Sequence, residues 1–178
     1  MSQELAKQEP NYAQILEKVV TKGDLADMSP ADRANYYRDI CDSLKLNWRT
    51  KPFEFLELKD RQSGKTKIVL YARKDCCEQL RKRDGISIEI LERLYQSDIE
   101  VYMVRTRATD PNGRYDEAIG AVSLRGLNAE DKANAIMKAE TKAKRRVTLS
   151  ICGLGFLDES EIDSIPGAKR IETGLEVE

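Results

Sequence analysis

The sequence predicts an α+β fold: a mostly antiparallel β-sheet, elements in the order ββαβββα, backed by a long C-terminal helix and preceded by an N-terminal helical arm. Three observations carry this. The hydrophobic period changes from helical to alternating at Phe53. Asp110-Pro111-Asn112-Gly113 is a turn signal set between two alternating runs. A helical run then extends from Ala129 to about Cys152, where Gly153 is a natural terminator.

Taken in order, Tyr12, Ile15, Leu16, Val19 and Val20 recur at helical spacing. Ser29-Pro30 reads as an N-cap followed by proline at the first helical position. The helix it opens presents Tyr36, Tyr37, Ile40, Cys41 and Leu44, and the stretch from Asn47 to Pro52 ends it. Phe53, Phe55, Leu56 and Leu58 predict a strand, Asp60 to Lys65 a polar turn, and Ile68 to Tyr71 a second strand. Asp75 is expected to cap a short helix bearing Cys76, Cys77 and Leu80, which Gly85 ends. Strands follow at Ile86 to Leu94, Ile99 to Thr109 and Tyr115 to Leu124, and Asn128 caps the long helix. These elements divide the chain into a helical arm over residues 1–46, an α+β core over 47–156 and an acidic tail over 157–178. The tail, with Asp158, Glu159, Glu161 and Asp163, is expected to be mobile apart from a short helical turn.

Composition narrows the function classes. With 178 residues, 40% hydrophobic and 34% charged, the chain is long enough for one folded, soluble domain. No apolar run approaches the roughly 18 residues of a membrane span. The polar stretch Met1 to Pro10 fits neither a signal peptide nor a transit peptide, so a cytoplasmic protein is expected. Histidine is absent, which removes Ser-His-Asp and Cys-His catalysis and His-ligated metals. Cys41, Cys76, Cys77 and Cys152 form no C-x-x-C pair and read as reduced small hydrophobes. Neither an enzyme nor a cofactor is expected.

Two motifs have better ordinary explanations. Ser63-Gly64-Lys65-Thr66 resembles the end of a phosphate-binding loop, but Lys59 occupies the position that needs glycine, and the stretch joins two strands. Glu140-Thr141-Lys142 matches half of a metal-dependent nuclease signature, yet in a helix Glu140 and Lys142 point about 160° apart.

The charges are more informative. From Lys59 to Ser150 there are 20 Lys plus Arg against 14 Asp plus Glu, and from Ile151 to Glu178 there are 2 against 7. On the long helix, Ala133, Ile136, Met137, Glu140, Ala143, Val147 and Ile151 are assigned to packing on the sheet. Lys138, Lys142 and Arg145 follow on the opposite side, with Arg146 and Lys132 flanking. Five basic residues between Lys138 and Arg146 face one acid, Glu140, and such a stripe repels itself unless a polyanion neutralises it. Arg73-Lys74 with Arg81-Lys82-Arg83 forms a second cluster, and Arg105 with Arg107, two apart on a strand, a third. Together the clusters are expected to line one groove that tracks a phosphodiester backbone. Aromatics make up only 6%, so contacts centred on the backbone fit better than a base-stacking platform.

The run Ala139-Glu140-Thr141-Lys142-Ala143-Lys144-Arg145-Arg146-Val147-Thr148-Leu149-Ser150-Ile151-Cys152-Gly153-Leu154-Gly155 resembles the signature helix of phage single-strand annealing proteins. These are the Erf and Sak groups, related in fold to the eukaryotic Rad-fifty-two annealing protein. The hairpin from Arg105 to Leu124 and the stretch from Lys51 to Asp75 fit the same resemblance, which covers Leu44 to Gly167. It implies a sheet backed by the long helix, assembly into rings or helical filaments, and single-stranded DNA held in a basic groove without ATP. Lys138, Lys142, Arg145 and Arg146 would be backbone contacts, with Arg105, Arg107, Arg73 and Lys74 as further candidates. Annealing of complementary strands in recombination, in a bacterial host cell and beside a single-strand-binding protein or phage exonuclease, is the function implied. The charge split between body and tail also suits a non-enzymatic adaptor that binds a host single-strand-binding or replisome protein.

Overall fold

A computed structural model describes residues 17, 19–20, 23–59, 64, 66–158 and 168–171. Tyr12, Ile15 and Leu16, the turn between the first two strands apart from Gly64, and Glu159, Glu161 and Asp163 lie outside the described residues. The elements are α1 (Pro30–Ser43), a short 3-10 turn (Trp48–Thr50), β1 (Phe53–Lys59), β2 (Thr66–Ala72), α2 (Lys74–Asp84), β3 (Ser87–Gln96), β4 (Val101–Thr109), β5 (Tyr115–Ser123), α3 (Ala129–Ile151), β6 (Leu157–Asp158) and β7 (Lys169–Arg170). The α+β class and the order ββαβββα hold. The strands divide, however, into two sheets rather than one. One is ordered β6-β2-β1-β7 and the other β3-β4-β5.

The caps are largely those the sequence announces. The Ser29 hydroxyl accepts from Asp32 N, and the Asn128 side chain accepts from Asp131 N. Gly85 closes α2 in the left-handed region at φ 64°. Asp75 differs from expectation: Arg73 is the N-cap, without a side-chain bond, and Asp75 stands inside the first turn. There it still favours the helix, because a negative charge complements the positive end of the helix dipole.

The hairpin β1–β2 buries both faces. On one, Phe53, Phe55, Ile68, Leu70 and Ala72 join a core with Tyr37 and Cys41 of α1, Cys76, Cys77 and Leu80 of α2, and Leu149 of α3. Tyr37 meets Phe53 edge-on at 6.4 Å. On the other face, Leu56 and Tyr71 are covered by Leu157 and Ala168. Part of the expected mobile tail is therefore structural: β6 pairs parallel to β2 and β7 antiparallel to β1. Both edges of the hairpin offer unpaired backbone groups, and the returning chain satisfies some of them. An Asp24 carboxylate oxygen also accepts from Ile68 N at 2.9 Å, tying the chain before α1 to β2.

In the three-stranded sheet, alternation decides everything. Val104, Thr106 and Ala108 of β4 are fully buried, and with Ala118, Gly120 and Val122 of β5 they face α3. The helix answers with Ala139, Ala143, Val147 and Ile151, a row at i, i+4, i+8 and i+12. The approach is close enough that a Cβ on Gly120 would collide with the backbone of Ala139 and Ala143. The packing row was misassigned toward the helix N-terminus: Ala133 is exposed, as are Ile136 at 38% and Met137 at 61%. The sheet runs out at Ser123, so the first turns of α3 project past it.

All four cysteines are unbridged and meet around Cys76. Burial pushes the Cys41 and Cys152 thiols up to about 11 and raises Cys76 as well, so they remain protonated, as small hydrophobes should. Among the described residues, no helix is long and apolar enough to cross a membrane, and no group of His, Cys, Asp or Glu is arranged to hold a metal.

Candidate nucleic-acid interface

The long helix lies with one flank toward β5, where the Ser150 hydroxyl donates to Asp116, and the other toward β3, where Arg93 reaches Glu140 at 3.0 Å. Lys138, Lys142 and Arg146, spaced four apart, run along the β5 flank. Lys138 and Arg146 are exposed and Lys142 is half-buried; Lys142 makes no ion pair among the described residues. This differs from the expected stripe in one member. Arg145 is only 7% exposed, because its position turns it toward the interior, where its backbone carbonyl accepts from the Cys77 thiol at 3.8 Å. The outward row is therefore Lys138, Lys142 and Arg146, with Arg145 behind it.

Lys144 lies on the opposite flank. It closes on Glu140 at 2.7 Å, and its hydrogen bond, followed by that of Arg93, holds the Glu140 carboxyl below its ordinary range. The single acid of the basic run is thus committed to two cations on the β3 side and does not neutralise the row on the β5 side.

Helix α2 lies beside the C-terminal half of α3 and runs the same way: Cys77 meets the Arg145 carbonyl, Arg81 donates to the Thr148 hydroxyl at 3.0 Å, and the Cys152 thiol donates to Asp84. That register sets Arg73 and Lys74 level with Thr141 and Lys142 along the helix axis. The structure thus brings the second cluster beside the first. Arg73 is 3.9 Å from Glu54 and Lys74 is 3.5 Å from Glu78, both partly exposed contacts that a phosphate can compete with.

Arg105 and Arg107 do not join them. Both lie on the face of β4 that points away from α3, and both grip one carboxylate, Glu117 of β5, at 2.6 and 2.7 Å. Hydrogen bonds from Arg105 and then Arg107 hold Glu117 below the usual carboxylate range. Arg107 also stacks on Tyr115 at 4.8 Å. Around this trio the open face carries exposed Leu94 and Ile119. Counted together, the trio keeps one net positive charge, but on the wrong side of the sheet to share a groove with Lys142.

Sequence reasoning missed the commitment of Glu140 to Arg93, which joins residues 47 apart and leaves no sequence signal. The Lys144–Glu140 spacing of four was legible. No protein-family model and no curated protein matches the chain.

Proposed function

We propose that the chain binds single-stranded DNA along the β5 flank of α3 and the adjoining end of α2, and anneals complementary strands without ATP. The observation that carries this reading is the alignment of Lys138, Lys142 and Arg146 along one flank of α3, with Lys74 level with Lys142, which makes no ion pair among the described residues. Cations in such a row neutralise phosphates and release counterions, which lowers the repulsion between two strands; base pairing then supplies the driving force. No acid–base pair, metal or nucleotide is needed for that chemistry. The protein would act in the bacterial cytoplasm as a ring or filament of its own copies, beside a single-strand-binding protein or a phage exonuclease.

The test is a titration of a labelled oligonucleotide at several salt concentrations. Affinity should fall steeply and linearly on a log–log plot, and K142A/R146A should weaken binding about tenfold and reduce the slope by about 1.4, two single-strand phosphate contacts. A flat salt response, or wild-type affinity in the double variant, refutes the site. Mixing complementary strands should then show faster pairing with protein than without it, in the absence of ATP.

A second reading is favoured by the open face of the β3-β4-β5 sheet. Leu94 and Ile119 are exposed there at 40% and 51%, around cations already paired internally, which suits a protein partner better than a phosphate backbone. An adaptor using this face alone would retain its partner yet bind no oligonucleotide at physiological salt.

A further inference from the structure

The Trp48 turn lies across α2 from the basic row of α3 and meets the second basic cluster at Arg83. Trp48 is the only tryptophan in the chain and is half-buried, packed against the main core. The guanidinium carbon of Arg38, from α1, lies 4.7 Å from its ring centroid, and that of Arg49 lies 4.9 Å away. Among the described residues, Arg38, Lys45, Arg49 and Lys51 make no ion pair. Two guanidiniums thus lie over one indole, and Lys45 and Lys51 stand on either side of the turn, with no ion pair to any of the four among the described residues.

The turn is also held stiffly. The Asn47 side chain accepts from Arg49 N at 3.1 Å. Gln79 of α2 accepts from Asn47 N at 2.7 Å and donates to the Thr50 hydroxyl at 2.8 Å. Arg83 donates to the Leu44 carbonyl. On either side of the turn a lysine takes the left-handed conformation, Lys45 at φ 51° and Lys51 at φ 54°. Lys45 closes α1, with Lys45 N bonding Asp42 O and Leu46 N bonding Cys41 O, a place where glycine costs nothing and any other residue costs about 1 kcal/mol. Strain kept at both ends of a braced, uncompensated cationic turn is the pattern of a binding element.

We propose that this turn is a second contact for the same strand, a stacking and phosphate-binding point for single-stranded nucleic acid; the inference rests on the function proposed above. The chemistry favours a nucleotide over an acidic peptide. A guanidinium lying over an indole is a flat, cationic surface that a base can stack on, while its N–H groups remain to grip a phosphate in bidentate fashion. An acidic side chain uses the charge and leaves the flat surface idle. The place fits as well: α2 holds the turn through Gln79 and Arg83 and meets α3 through Cys77 and Arg81, so one short helix, about 10 Å across, separates the two contacts.

Because Trp48 is the sole tryptophan, its emission reports this turn alone. The intact protein is titrated with an oligothymidylate of about thirty nucleotides. Tryptophan emission is followed in one cell and the anisotropy of a labelled copy in another. Emission should change with the same midpoint as anisotropy and return on adding salt. R38A/R49A should weaken binding about tenfold and abolish the emission change. K45G/K51G, which relieves the backbone while removing two charges, should fold at least as stably and still bind more weakly, so it decides the matter if the arginine variant does not fold. Saturating anisotropy with unchanged emission and wild-type affinity in the variants overturns this inference and leaves the proposed function standing. No change in either signal overturns both. An equal emission change with polyglutamate shows that the turn reads charge alone and overturns its assignment to nucleic acid.

Discussion

The two faces of the β3-β4-β5 sheet are built from the same strands and behave as different materials. Toward α3, Val104, Thr106 and Ala108 are fully buried and Gly120 leaves no room for a methyl group. On the far side, one residue along in each strand, Arg105, Arg107 and Glu117 form an open trio and Ile119 is half exposed. The closed face stabilises the fold through contact distance, where a single carbon matters. The open face contributes little to stability and keeps its side chains available to a partner.

That contrast can be broken most sharply at Gly120. G120A puts a methyl into the backbone of α3 and should cost 3 kcal/mol or more, roughly, or abolish folding. Denaturant unfolding against the wild type measures it, and a loss below about 1 kcal/mol would mean that α3 shifts easily off the sheet. A smaller effect comes from paired truncations on the two faces. V147A, inside, should lose about 2 kcal/mol, whereas I119S, outside, should change stability by no more than about 0.5 kcal/mol. Equal losses would show that the outer face is covered in the working protein. The smallest effect is expected at Glu117. E117Q releases two guanidiniums on the open face, yet oligonucleotide affinity should change less than about twofold if the strand follows α3. A clear rise would place the strand on the sheet instead.

Both contacts proposed for a nucleic acid flank α2. Its buried side carries Cys76, Cys77 and Leu80, its opposite edges hold the Trp48 turn and α3, and its first turn carries Lys74. A helix of eleven residues thereby sets the spacing between two cationic surfaces.

Local chemistry was readable in advance. The caps Ser29 and Asn128, the glycine stop at Gly85, the turn at Asp110–Gly113 and the alternation of β4 and β5 all depend on neighbours within a few residues, and each stands where the sequence places it. The basic row on α3 was legible in part: helical spacing aligns Lys138 and Lys142, but it placed Arg145 in the row and Arg146 at its flank, and the structure exchanges the two.

What the sequence could not decide is which way a long helix rolls and which strands share a sheet. The roll of α3 follows from Gly120, where the missing side chain admits Ala139 and Ala143; α2 then covers the side that carries Arg145, and Ile136 and Met137 are exposed because the helix runs past the end of the sheet. The division into two sheets and the return of Leu157 and Ala168 over Leu56 and Tyr71 arise from contacts far apart in the chain. Short-range rules fix what each segment prefers; only packing at van der Waals distance selects among the few arrangements that satisfy them all.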